Sequence, residues 1–226
     1  MRLSALGLLM TLAIVTPRVA LADAVVITRA MKASTIAEIF VDDGSITVEL
    51  ELGATELDAF AALVSATTQT HGFPVAIPAS AELSVLADGR RLSGVIETAT
   101  RRKRVERDEI SGEPLPTETA EEVLFLVLRY PVRGHPKTLI INPPMKGGYA
   151  RADLGFVLYH LGIPVNDFRY LSANERVLLD WDDPFYSRFE RRQMNRKFNA
   201  PMNIFVYVEP FEVRKEFVLR PLDLAR

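Results

Sequence analysis

The chain has 226 residues, of which 48% are hydrophobic and 25% charged, a balance typical of a folded globular protein. Its formal net charge of -2 at pH 7 provides no basic field for nucleic acid, so a nucleic-acid-binding protein is not expected. The sequence contains no cysteine, which excludes thiolate nucleophiles, cysteine-ligated zinc and thiol redox chemistry.

The N-terminus has the three-part pattern of a secretory signal peptide. Arg2 supplies a positive start, residues 3–15 are almost wholly apolar, and Ala20 and Ala22 place small residues at the cleavage positions. This apolar run is shorter than the roughly 20 residues of a membrane-spanning helix. We therefore expect residues 1–22 to be a signal peptide cleaved near Ala22, so that the mature protein is periplasmic or secreted. An uncleaved N-terminal anchor is the alternative.

Residues 35–52 predict a β-hairpin, because apolar and polar side chains alternate on both sides of the turn-forming residues 42–45. Thr55 is a candidate N-cap, and the apolar residues after it recur at helical spacing. One amphipathic helix is therefore predicted over about 55–69.

Further apolar segments rich in β-formers predict additional strands. They are 83–86, 92–100, 123–130, 138–141, 154–160, 176–181, 204–208 and 211–219. The first two are expected to pair as a hairpin around Asp88-Gly89. Residues 123–130 are expected to form a central strand buried on both faces.

Residues 185–198 are rich in arginine and are expected to form either a short helix or an irregular arm. Short strands separated by turn signals favour a mainly β fold, an antiparallel β-sandwich-like domain with one helix. We expect residues 23–226 to form one domain, with a division near Gly147-Gly148 as the alternative.

Three carboxylates lie within four residues at Asp180, Asp182 and Asp183, and a hard cation such as calcium takes six to eight oxygen ligands. The spacing does not match an EF-hand loop. The alternative is a charged corner in which one aspartate caps the following turn. Calcium is the only cofactor that the residues suggest.

The same corner carries a candidate partner-binding surface. Trp181, Phe185 and Tyr186 form an aromatic cluster that could anchor a partner or stack on a sugar, or else pack into the core. If residues 185–198 are helical, three arginines line one face, which indicates a docking surface for an acidic partner or a membrane. These arginines are Arg188, Arg192 and Arg196.

Catalysis has no sequence marker. His71, His135 and His160 have no metalloprotease spacing, and no nucleophile elbow is present. A hydrolase with unmarked catalytic residues stays as an alternative, which would require a histidine close to a serine or carboxylate. The basic run at residues 101–104 suggests peripheral contact with lipid headgroups, with a solvated strand end as the alternative.

Three segments carry a resemblance to a known group of proteins: residues 164–172, 179–189 and 206–216. They resemble uncharacterised exported bacterial proteins, in particular the periplasmic N-terminal portion of HupE/UreJ-like membrane proteins. The resemblance implies a β-rich periplasmic module that is linked with a membrane protein. Nickel transport is not implied, since that family's histidine motif lies in membrane helices.

The leading functional prediction is a non-enzymatic interaction module that binds a membrane protein or another exported subunit. A calcium-binding or glycan-binding exported protein is the first alternative, and a hydrolase is the second.

Overall fold

The computed structural model describes residues 28–68, 72–104, 120–220 and 222. The predicted signal peptide lies outside these residues. The strands of the described chain are β1 (Thr35–Asp42), β2 (Ser45–Gly53), β3 (Val75–Ala76), β4 (Ser84–Ala87), β5 (Arg90–Arg91), β6 (Val95–Lys103), β7 (Glu122–Pro131), β8 (Thr138–Asn142), β9 (Met145–Lys146), β10 (Tyr149–Ala150), β11 (Leu154–His160), β12 (Ile163–Pro164), β13 (Arg169–Tyr170), β14 (Glu175–Leu178), β15 (Arg188–Phe189), β16 (Met202–Val208) and β17 (Val213–Leu219). The helix α1 spans Ala61–Thr68, and four 3-10 helices span Arg29–Lys32, Ala54–Phe60, Pro184–Tyr186 and Arg192–Met194.

Two sheets make the body of the molecule. The larger sheet has the strand order β12-β11-β1-β2-β7-β6-β3, with β13 also paired to β11. The smaller sheet has the order β15-β14-β8-β4-β5. Buried side chains of both sheets form one hydrophobic core. The predicted mainly β, sandwich-like fold is confirmed.

The first predicted hairpin is confirmed, and the structure gives its register. Thr35 pairs with Leu52, and Asp42 pairs with Ser45 across a two-residue turn. Gly44 in this turn has φ +81°, a left-handed conformation that glycine adopts without a steric penalty. The opposite edge of β1 pairs with β11 in parallel, which joins the beginning of the described chain to its later half.

The second predicted hairpin is much shorter than expected. β4 and β5 pair around Asp88-Gly89, but β6 belongs to the larger sheet and pairs with β7. The chain changes sheets around Gly94, where a Cβ atom would lie 2.5 Å from the carbonyl oxygen of Arg129. Glycine permits this close approach. The chain can therefore pass from β5 in the smaller sheet to β6 in the larger sheet.

The prediction that residues 123–130 are buried on both faces is wrong. In β7, Leu124, Leu126 and Leu128 face the core, whereas Phe125 and Val127 are only half-buried. The strand is central, with β2 on one side and β6 on the other. It is β11 that is buried along nearly its whole length.

The predicted helix begins earlier than expected. Gly53, not Thr55, occupies the N-cap position, and the segment opens with 3-10 geometry over Ala54–Phe60 before α1. The amide of Gly53 donates to the carbonyl oxygen of Ser34, so β2 leads into the helical segment without a polar side-chain cap. No helix of the described residues is long and apolar enough to cross a membrane.

The arginine-rich segment 185–198 takes the irregular alternative. It consists of part of one 3-10 helix, the short strand β15 and a second 3-10 helix. Gly147 and Gly148 form the turn between β9 and β10, with φ +61° and +85°. β11, which follows this turn, pairs with β1, which precedes it.

Candidate functional site

The corner after β14 is folded by its own aspartates. Asp180 accepts hydrogen bonds through Oδ1 from the amides of Asp182 and Asp183, at 3.1 and 2.9 Å. Asp183 in turn caps the 3-10 helix Pro184–Tyr186 by accepting from the amide of Phe185 at 3.3 Å. Asp180 and Asp183 therefore fold the turn, as in the capping alternative.

The predicted calcium site does not form from these side chains. Both carboxylate oxygens of Asp183 accept hydrogen bonds from the guanidinium of Arg220, at 2.8 and 2.6 Å. No group of three histidine, aspartate or glutamate side chains among the described residues is placed to hold a metal ion. Asp180, Asp182 and Asp183 are close in sequence, but they do not converge on one point.

Trp181 is fixed by contacts within the protein. Its indole Nε1 donates to the carbonyl oxygen of Pro136 at 2.8 Å. The ring stacks on His135, with centroids 4.2 Å apart, and meets His160 edge-on at 4.4 Å. Because the half-buried ring packs against the core, Trp181 takes the core alternative rather than that of an exposed partner anchor.

Two guanidinium groups contact the ring of Phe185. The Cζ atoms of Arg196 and Arg220 lie 4.0 and 4.4 Å from its ring centroid, in the geometry of cation–π contacts. Tyr186 meets the Phe185 ring edge-on at 5.4 Å. The predicted aromatic cluster forms only in part: Phe185 and Tyr186 contact each other and two arginines, whereas Trp181 packs against His135 and His160.

The predicted row of arginines is wrong, because segment 185–198 does not form the helix that would align the side chains. Arg196 is buried and donates to the carbonyl oxygens of Pro164 and Phe185, at 2.6 and 2.8 Å. Arg188 and Arg192 are exposed and belong to different short elements. A docking face made by all three arginines is not present.

A shallow groove of about 460 Å³ lies beside Trp181. Its lining includes two basic residues, Lys137 and Arg188, and two acidic residues, Asp180 and Asp182. The lining is therefore mixed in charge and selects neither an anion nor a cation.

A histidine and a serine meet next to this groove, which is the arrangement that the hydrolase alternative required. Nδ1 of His160 lies 2.7 Å from Oγ of Ser187, and this hydroxyl also accepts from the amide of Asp180 at 2.9 Å. Burial lowers the pKa of His160 to about 4, although the carboxylates of Asp180 and Asp42 act in the opposite direction.

The pair has the features of a packing contact. Both residues are buried, and neither lines the groove. Nε2 of His160 is buried and has no hydrogen-bond partner among the described residues, so no carboxylate orients the ring as in a catalytic triad. The pair gives no support to the hydrolase alternative. His71 lies outside the described residues.

The basic run at the end of β6 is neutralised within the larger sheet. Arg102 lies 2.8 Å from Glu51, and Arg104 lies 3.5 Å from the same carboxylate. Arg101 lies 3.6 Å from Glu122, an exposed pair. The run therefore resembles the solvated strand end rather than a lipid-binding patch.

Most of the exposed large apolar side chains of the described residues lie on β16 and β17. Among the strands that the structure describes, these two pair only with each other, as an antiparallel hairpin separate from the two sheets. Alternate residues of both strands share one face, because Ile204 pairs with Phe217 and Val206 with Lys215. The apolar members of this face, which we call the hairpin face, are Met202, Ile204, Val206, Val208, Val213, Phe217 and Leu219.

The hairpin face is exposed throughout. Ile204 is 49% exposed, Val206 55%, Val213 60% and Phe217 56%. At the tip, Phe211 is fully exposed. Exposed single apolar residues are ordinary, whereas a contiguous apolar patch marks an interaction site.

The predicted corner holds the base of this hairpin. Arg220, which directly follows β17, binds Asp183 through both guanidinium NH groups and covers the ring of Phe185. Its amide donates to the carbonyl oxygen of Pro201, which directly precedes β16, at 3.0 Å. The corner residues therefore support the exposed element rather than forming it.

The sequence predicts both strands and the shared apolar face of the second one. It does not predict that the two strands form a sheet of their own, separate from the two larger sheets. The period-two pattern from Phe211 to Leu219 predicts an apolar face and does not reveal what covers it.

Comparison of the chain with family models, with curated proteins and with solved structures finds no match. The likeness to the periplasmic portion of HupE/UreJ-like proteins stays a prediction.

Proposed function

We propose that this chain is a non-enzymatic interaction module of an exported or membrane-associated complex, and that the hairpin β16–β17 is its contact element. The observation that carries the proposal is the hairpin face, a set of exposed apolar side chains on two strands that no other strand of the described residues joins. The compartment follows from the predicted signal peptide and is part of the proposal.

The energetics of small sheets support this assignment. A two-stranded sheet is marginally stable in water and gains stability when its apolar face is covered. Burial of one large aliphatic or aromatic side chain contributes about 1.5–3 kcal/mol. A partner that covered even half of the hairpin face would therefore supply several such contributions.

The attachment of the hairpin also suits a contact element. The bidentate pair of Arg220 and Asp183 is only about 15% exposed, so it holds the base firmly. Phe198 packs against Phe205 at 5.6 Å, on the side opposite the hairpin face. Both contacts therefore attach the hairpin to the rest of the chain through residues outside the hairpin face, which stays exposed.

A photo-crosslinking experiment tests the proposal. The full chain, with a photoreactive amino acid in place of Val206, is expressed in the organism that encodes it. We expect a discrete crosslinked product that is lost when Ile204 and Phe217 are both changed to serine. The matched control carries the photoreactive group at Thr98, an exposed position on β6 of the larger sheet, and should give no such product.

The double serine variant should keep the thermal stability of the wild-type body, because both side chains are already about half exposed. Equal crosslinking from Val206 and from Thr98, or a product that survives the double substitution, would contradict the proposal.

A further inference from the structure

One residue of the hairpin face is charged. Lys215 pairs with Val206 in the strand register and therefore lies among the apolar side chains, between the levels of Phe217 and Val213. No carboxylate of the described residues forms an ion pair with it. The neighbouring Glu216 points to the opposite face, because side chains alternate along a strand.

We infer that the partner covers the hairpin face with an amphipathic helix whose apolar stripe carries one carboxylate opposite Lys215. This inference rests on the proposed function and deepens it by naming the chemistry of the partner. A lysine that is desolvated without an acidic neighbour opposes binding, whereas a paired lysine favours it.

The dimensions of the face suit one helix. Two strands lie about 4.8 Å apart, so the pair is about as wide as the 10 Å diameter of a helix. Seven residues at about 3.3 Å each give a face of about 23 Å, the length of about 15 helical residues. A strand added at either edge would leave the same apolar face exposed.

Two other occupants fit less well. A second copy packed face to face would bring two Lys215 side chains into one apolar interface, and the hairpin face has no carboxylate to pair with them. A bilayer would leave the backbone groups at both edges of the hairpin without partners. The acids Glu209 and Glu212, which flank Phe211 at the tip, would also be repelled by anionic lipid.

The test uses three synthetic 16-residue amphipathic helical peptides with the same leucine stripe. They differ at one central position of the stripe, which is glutamate, glutamine or lysine. Binding to the full chain is measured by fluorescence anisotropy. We expect the glutamate peptide to bind at least about tenfold more tightly than the lysine peptide, as close interfacial charge pairs do.

Two charge-reversal variants make the test specific. Lys215→Glu should reverse the order, so that the lysine peptide binds best. Arg214→Glu changes the net charge by the same amount on the opposite face, where Arg214 lies over the ring of Tyr207, and should preserve the order.

The outcomes separate this inference from the proposed function. If all three peptides bind equally and binding is lost in the Ile204→Ser, Phe217→Ser variant, the contact element stands and the carboxylate inference is overturned. If no peptide binds, the inference is overturned. If the wild-type chain self-associates in sedimentation and the same double substitution abolishes this self-association, the hairpin face binds a second copy of the chain. The inference of a helical partner is then overturned.

Discussion

The buried imidazole of His160 should make folding stability depend on pH in a way that one substitution removes. The residue is completely buried, and its pKa falls from 6.5 to about 4 in the folded protein. The unfolded chain therefore takes up a proton that the folded chain refuses. Stability from this group is fully present above pH 6.5 and is lost as the pH falls from 6.5 towards 4.

The size of the effect follows from the two pKa values. Linkage gives a loss of about 2 kcal/mol in the free energy of unfolding between pH 7 and pH 5 from this one residue. His160→Asn keeps a polar group near the position of Nδ1 to hydrogen-bond with the hydroxyl of Ser187, 2.7 Å away in the wild-type protein, but it cannot take up a proton in this range. The variant should therefore lack that part of the pH dependence.

Urea unfolding at pH 5, 6 and 7 measures the effect, and Trp181 is a suitable reporter because it is the only tryptophan and contacts the His160 ring. His135→Asn, on the exposed side of the same indole, is the matched control. It should keep the part of the pH dependence of the free energy of unfolding that His160 contributes in the wild-type protein. NMR titration of the wild-type protein should show His160 still neutral at pH 5. Equal pH dependence in wild type and His160→Asn, or titration of His160 near pH 6.5, would refute the reasoning.

Two further substitutions test how the body and the hairpin are held. Gly155→Ala should destabilise the fold by several kcal/mol in urea unfolding, because the new Cβ would collide with the backbone carbonyl of Ala30, whereas Gly72→Ala meets no atom within 4 Å and should be nearly neutral. Equal effects at the two glycines would count against this packing. Arg220→Ala removes the bidentate contact to Asp183, a charge-assisted pair worth about 1.5–3 kcal/mol, and should speed protease cleavage at the hairpin base while the two sheets stay protected. An unchanged cleavage rate would show that the pair does not hold the hairpin.

Local patterns predicted the parts of the fold that local chemistry controls. The alternation on both sides of the turn residues 42–45 predicted the hairpin of β1 and β2, because turn chemistry and a period-two apolar face are local properties. The same reasoning failed at residues 83–100. There the chain leaves one sheet for the other at Gly94, and a close approach to Arg129 across the fold, which no local pattern records, decides the path.

The candidate site divides in the same way. The sequence placed Asp183, Phe185 and Arg196 together at one polar and aromatic corner, and the structure keeps them in contact through short-range capping and cation–π geometry. It could not identify their partner, since Arg220 is 37 residues from Asp183 in the chain. The corner therefore looked like a surface for another molecule, although its long-range partner is the chain itself.

By itself, the sequence determined the class of the fold, the absence of cysteine chemistry and the apolar alternation of residues 211–219, because each depends on residue type or on near neighbours. Only the tertiary structure decided which apolar faces are covered. Burial is a property of the whole packed chain: β7 and β17 both alternate, yet the alternate side chains of β7 pack into the core, whereas every residue of β17 is exposed.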